Sequence, residues 1–237
     1  MSDIWTMVWK ESKDFIFSGG RSDFVRPLLF VAVLGIFLPL SLKMDWIELD
    51  SSPILIILYI PFMLIISFIG DAIAGERERH TLETLLASRI SDRAILLGKV
   101  LVTVGFSWGV TVIGLLLGAV VVNLSQNLGQ WAFYTPLSLF EVLLVLSFET
   151  NLLAASGGVL ISLKSATVRQ AGQNMILGVI FLGLALYGVV RLVPTSVTAS
   201  LTTDQMVLIL MVILALLDGI LLAVALVSFQ RSRLILG

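Results

Sequence analysis

The side chains of this chain that could do chemistry fall into two groups. Glu149, Asn151 and Asp218 stand inside long apolar runs, where an ionised carboxylate costs roughly 2.5–3.5 kcal/mol on insertion scales. Such residues either line a substrate or cation path or are protonated, hydrogen-bonded packing groups. No basic residue lies at the same depth to pair with them. Asp71, near one end of its run, is placed to reach the interface. The second group is the stretch 75–99, GERERHTLETLLASRISDRAILLGK, a charged island in an apolar chain. It holds five of the fifteen basic residues: Arg77, Arg79, Arg89, Arg93 and Lys99.

Several chemistries are excluded. There is no cysteine, hence no disulfide framework, thiolate metal site or cysteine nucleophile. His80 is the one histidine, and alone it cannot build a structural zinc site of about four ligands. The seven methionines are scattered, so no metal site is expected. An intramembrane enzyme would be left with serine or carboxylate chemistry, and no Gly-x-Ser-x-Gly turn is present. Gly98-Lys99 lacks the earlier glycine and the following Ser or Thr of a phosphate-cradling loop, so the chain is not itself an ATPase. The net charge of −1 points to no nucleic-acid partner.

These residues are carried by a membrane scaffold. The 237 residues are 58% hydrophobic and 13% charged, with a mean hydropathy of +1.05. Soluble domains run at about 25% charged. A hydrocarbon layer of roughly 30 Å needs about 20 apolar residues in a helix. Six runs qualify, at about 25–42, 54–73, 95–122, 140–163, 172–192 and 206–229. Helices are the reading for such runs, because in lipid every backbone N–H needs an internal partner. The expected fold is therefore an all-α integral membrane protein with six transmembrane helices, a single domain over 1–237. No loop is long enough for a folded external domain. Pro39 and Pro61 are placed to kink spans one and two. Gly105-x-x-x-Gly109, Gly114-x-x-x-Gly118 and the run 154–158 permit close helix approach.

Thirteen of the fifteen basic residues fall on one side of this layout, and only Lys43 and Arg191 on the other. The positive-inside rule then places both termini in the cytoplasm of a multi-pass protein of the cell membrane. The outer loops agree: 43–53 is acidic, and 123–139 has no Lys or Arg but carries Trp131, Phe133 and Tyr134, as an interfacial aromatic belt would. The segment 1–24 reads as an amphipathic helix lying on the cytoplasmic membrane surface, ended by Gly19-Gly20, and not as a signal peptide. Membrane lipids are thus one partner.

Within the island, Leu82, Leu85, Leu86 and Ile90 share one helical face. Glu76–His80 and Arg79–Glu83 have i,i+4 spacing for ion pairs. Ser91-Asp92 reads as an N-cap and first-turn acid opening span three. Charge alone leaves two readings: a solvated loop anchoring two spans, or a docking helix for a cytoplasmic partner.

The island resembles the signature of the permease subunits of type-2 ABC transporters. In that family a segment of the form G-E-(R/K)-E-(R/K)-x-T-L-E-x-L-L-x-(S/T)-P-(I/V)-S followed by G-K comes after the second span. Gly75, Glu76, Glu78, Thr81, Leu82, Glu83, Leu85, Leu86, Ser91, Gly98 and Lys99 stand in matching positions. Arg89 replaces the usual proline, and His80 a frequent glycine. The resemblance implies a non-catalytic membrane subunit of an ATP-driven exporter. It implies a dimer with a second copy, seated on two ATP-binding cassette subunits that hold ATP and Mg. The coupling segment, 75–93, would receive their motion through Glu76, Glu78, Arg79, Thr81, Leu82, Glu83, Leu85 and Leu86. The competing reading is an ion-coupled secondary transporter using Glu149 and Asp218, which would show two repeated halves with interrupted helices; no internal repeat is evident.

Overall fold

The computed structural model describes residues 2–13, 21–49, 51–126, 129–192 and 202–229, and the regular structure among them is all helical. A short helix α1 (Ser2–Lys13) is followed by α2 (Arg21–Ala32), a π turn (Val33–Phe37), α3 (Leu38–Leu42) and α4 (Met44–Glu48). Then come α5 (Ser51–Gly70), a second π turn (Asp71–Gly75), α6 (Glu76–Glu78) and α7 (Leu82–Leu86). Four long helices complete the chain: α8 (Asp92–Gln126), α9 (Leu137–Lys164), α10 (Val168–Leu192) and α11 (Thr203–Ser228). The expected Gly19-Gly20 turn and the C-terminal Arg231 and Arg233 lie outside the described residues.

Four helical stretches are long and apolar enough to cross a membrane: Ile56–Glu78, Asp92–Gln126, Leu137–Lys164 and Gln205–Ser228. The first expected span is a shorter apolar helix, Pro27–Leu42, interrupted by a π turn just before Pro39. That placement is physical: Pro39 lacks an N–H and its ring crowds the preceding turn, so the helix widens there. The fifth expected span lies within α10, whose first turns carry exposed Gln170, Gln173 and Asn174.

Ser91 caps α8 as its sequence suggests, its Oγ accepting from the Ala94 N–H at 3.4 Å. Thr202 and Gln205 form a capping box at the start of α11. The centre of the bundle is α9, which packs against α5, α8, α10 and α11. Two separate buried clusters flank its middle. One, at the charged-loop end, joins Ile65, Ile69, Ile73, Leu96, Val100, Ala155 and Val159. The other, at the far end, joins Leu34, Trp46, Ile57, Leu115, Tyr134 and Leu143. Between them lies a polar level. There Ser107 Oγ donates to the Pro61 carbonyl at 2.9 Å and contacts Asn151 Oδ1 at 3.5 Å.

In lipid, apolar burial gives helices little reason to associate, so close packing of small residues carries more of the load. Of the glycine pairs, Gly114 and Gly118 are packed and Gly105 and Gly109 are open. A Cβ on Gly114 would stand 2.8 Å from Leu34 Cβ, and one on Gly118 would stand 2.6 Å from Trp46 Nε1. Here α8 receives the first π turn, α3 and α4. Trp46 Nε1 also donates to the Tyr134 hydroxyl at 2.9 Å, which donates to the Leu115 carbonyl at 2.8 Å. Asn123 accepts from the Ala132 N–H and donates to its carbonyl, both at 2.7 Å. Tyr134 is therefore the buried centre of an end cap, while Trp131 is exposed as a belt residue would be. Burial pushes the Tyr134 phenol above its ordinary pKa, and the bond from Trp46 offsets only part of that.

Gly118→Ala should cost about 1–3 kcal/mol through overpacking, whereas Gly105→Ala, with nothing within 4 Å of the new Cβ, should be neutral or stabilise by up to about 1 kcal/mol. Thermal unfolding of the two variants in detergent distinguishes them, and equal tolerance would contradict the packing described.

Candidate functional site

The charged island begins where α5 is broken. In a continuous α-helix the Ala74 N–H would donate to the Gly70 carbonyl. Instead the Ser162 hydroxyl of α9 stands between them: Ala74 N–H donates to Ser162 Oγ at 3.0 Å, and Ser162 Oγ donates to Gly70 O at 3.2 Å. A side chain inserted into the backbone ladder is a known cause of such a deviation, and the π turn Asp71–Gly75 lies there. The insertion is possible because α9 approaches α5 closely at Gly158, where a Cβ would collide with Ile69.

Past the π turn, three successive charged residues each grip a different element. Glu76 Oε1 accepts from Lys99 Nζ of α8 at 2.8 Å, and the same Nζ reaches Glu11 Oε1 of α1 at 3.1 Å. Lys99 is 2% exposed, so this is a buried ionic pin between three helices. Arg77 donates from Nη1 to the Ser165 carbonyl at 2.7 Å and from Nη2 to the Leu163 carbonyl at 3.0 Å. A guanidinium thereby satisfies orphan carbonyls at the α9 C-terminus, where a positive charge also suits the helix dipole. Glu78 Oε2 accepts from the Val168 N–H at 3.2 Å, putting an acid at the first turn of α10.

The helix then stops in a Schellman motif. Thr81 N–H donates to Glu76 O at 2.8 Å and His80 N–H to Arg77 O at 3.1 Å. His80 takes the left-handed position, with φ of 57°, where glycine is favoured. This accounts for the glycine common at that position of the motif. It also undoes the i,i+4 spacing expected for Glu76–His80 and Arg79–Glu83, because no helix runs through residues 79–81; Glu76 turns to Lys99 instead. The five-residue α7 follows, with Leu82 and Leu85 buried in the charged-loop core and Arg79, Thr81 and Glu83 exposed. The Leu86 side chain lies outside the described residues.

Helix α1 docks on the base of α8. Met7 is fully buried there, seated over Gly98, where a Cβ would meet Met7 Cγ at 2.5 Å. Its opposite face exposes Trp5 and Trp9, with Lys13 Nζ 4.7 Å from the Trp9 ring centroid. The helix is amphipathic as expected, but its inner face packs on protein.

The intramembrane residues divide between two sides of α9. Asn151 is buried toward Ser107 of α8, with its Nδ2 unpartnered. Glu149 lies on the side of α9 facing α11, between Leu146 and Leu153, which cluster with Leu214 one turn before Asp218. The structure thus brings Glu149 and Asp218 together and leaves Asn151 apart. Of the groups that hold the island, Lys99 ends the sequence motif and was legible as part of it. Glu11 is signalled only by its i,i+4 spacing from Met7, and Ser162 by nothing local.

Fold and site define a class first: a helical membrane protein with a charged loop braced against its neighbouring helices. The chain belongs to the family described as ABC-2 family transporter protein, which matches residues 6–206. No curated protein sequence matches it. Membership of this family does not favour the ion-coupled secondary transporter.

Lys99→Met should cost about 3–5 kcal/mol, because it strands two carboxylates around a buried site. Adding Glu11→Gln and Glu76→Gln should restore most of that loss in the same unfolding assay. His80→Gly should stabilise by roughly 1 kcal/mol, the order of the left-handed penalty for a side-chain-bearing residue; a loss of stability would contradict the backbone assignment.

Proposed function

We propose that this chain is the membrane-spanning permease subunit of an ATP-driven ABC exporter. Two copies form a homodimer, and each is served by a separate ATP-binding cassette subunit that holds ATP and Mg. The chain is one domain, with the apolar stretches of 25–42 and 172–192 completing six spans. Both termini and the charged island face the cytoplasm, and α1 lies at the inner surface with Trp5 and Trp9 toward lipid.

The observation that carries this reading is the bracing of the island. Glu76, Arg77 and Glu78 tie it to α1, α8, α9 and α10 at once. A loop that merely anchored two spans would need no such ties. A segment that must pass motion from a partner to several helices does. Family membership supports the ATP-binding partner. In this reading Arg79, Thr81 and Glu83 meet the ATP-binding subunit directly. Leu82 and Leu85 seat the contact helix on the bundle, and Glu76 and Glu78 transmit its displacement.

The cysteine-free chain allows a clean test. Glu83→Cys and Trp131→Cys variants, each carrying a photoactivatable maleimide, are co-expressed with the cognate ATP-binding subunit. The Glu83→Cys probe should cross-link that subunit, and the Trp131→Cys probe should not. Glu83→Arg should weaken the complex by about tenfold, or roughly 1.4 kcal/mol, with unchanged unfolding of the permease. Equal cross-linking from both positions, or an undiminished complex, would overturn the proposal.

A further inference from the structure

The middle of the bundle holds two carboxyl groups with nothing among the described residues to neutralise them. Glu149 is 12 residues from the start of α9 and 15 from its end, about 18 and 22 Å along the axis. Asp218 is 15 residues from the start of α11 and 10 from its end, about 22 and 15 Å. Both are therefore far from either mouth. Leu146 and Leu153, one turn to either side of Glu149, are buried in one cluster with Leu214, one turn before Asp218. Leu217 and Leu221 pack against the same cluster. This register places the two carboxyls on facing turns of α9 and α11.

A second observation is independent of the pairing. Asp218 is 4% exposed, and neither of its oxygens has a hydrogen-bond partner; Glu149 Oε2 is buried and unpartnered too. Of the charged and titratable residues on the packed elements, Tyr59 of α5 stands near this depth but is exposed, and the rest stand elsewhere along them. These are Asp71 on the π turn after α5, Asp92, Arg93 and Lys99 on α8, Glu141 and Lys164 on α9, Arg169, Tyr187 and Arg191 on α10, and Asp204 on α11. Lys99, the buried cation among the described residues, is already taken by Glu11 and Glu76. The flanking positions of the seam itself are leucines.

Two ionised carboxylates here would put two like charges into a low-dielectric seam with no donor, at a cost of several kcal/mol each. A metal ion would need more oxygen ligands than the leucines around it supply. One proton meets the need: a carboxyl donates to the neighbouring carboxylate in a short charge-assisted hydrogen bond. We infer that Glu149 and Asp218 share one proton, making a proton-binding site in the α9–α11 seam. Because α11 packs chiefly on α9, loss of that proton sets two charges against each other across the contact that holds α11, and loosens it. The site stands or falls independently of the ATP-driven reading.

Infrared spectroscopy of the protein in lipid nanodiscs tests this directly. The wild type should show one protonated carboxyl per chain at neutral pH, identified by its shift in D2O and lost reversibly as pH rises. The band should vanish in the E149Q/D218N double variant. In E149Q alone its frequency should move, because the acceptor changes from carboxylate to amide. Four results would each overturn the inference: no band in the wild type; two carboxyls' worth of band; a band surviving in the double variant; or displacement of the band by sodium at constant pH, which would mark a metal-cation seat. Should D218N fail to fold by size exclusion, the E149Q shift decides alone, and an unmoved band rejects the shared proton.

Discussion

One hydroxyl sets the course of the chain at the charged-loop end. Ser162 occupies the gap between Gly70 O and Ala74 N–H, and so converts the end of α5 from an α to a π turn. In lipid or in a packed interior, an opened backbone pair must find new partners, and the serine supplies both halves. The added residue in that turn sets the directions of Glu76, Arg77 and Glu78. Each of the three then meets a different helix. Without the insertion the same residues would leave the helix at other angles, and the ties to α1, α8, α9 and α10 would not form together.

The island is thus both a solvated loop and a braced one. Glu76, Arg77 and Glu78 make internal contacts, and the side chains of Arg79, Thr81 and Glu83 are exposed. The buried pin at Lys99 is a poor source of net stability, since desolvating charges offsets much of their attraction. Its value is geometric: it fixes which turn of α1 meets which turn of α8. Farther along the bundle, the polar level at Pro61, Ser107 and Asn151 divides the core in two, and the carboxyl seam of α9 and α11 lies near that depth.

Much of this was legible in the residues. Apolar runs marked the long helices. Ser91-Asp92 marked the start of α8, and the leucine spacing marked the buried side of α7. The frequent glycine at the position of His80 marked only a departure from the motif, and its meaning, a left-handed turn, came from the backbone. What local pattern misjudged had a common cause. Arg79–Glu83 has ion-pair spacing only if the helix continues, and the backbone stops at His80. Tyr134 has belt composition, yet Trp46 and the Leu115 carbonyl draw it inward. Gly105 and Gly109 match Gly114 and Gly118 in spacing, but only the latter pair has a helix crossing it.

By itself the sequence determined the solvent each segment must have, because transfer free energies depend on composition and run length. That made the chain a helical membrane protein with a charged loop suited to water, and its motif pointed to the family. Tertiary structure decided which polar groups meet. Glu11, Glu76 and Lys99, or Ser162 and the end of α5, are 23 to 92 residues apart, and periodicity within one helix says nothing about the register between two. The same holds for Glu149, Asn151 and Asp218. Sequence placed all three in hydrocarbon, and the packing of α8 and α11 on opposite sides of α9 separated the amide from the acid pair.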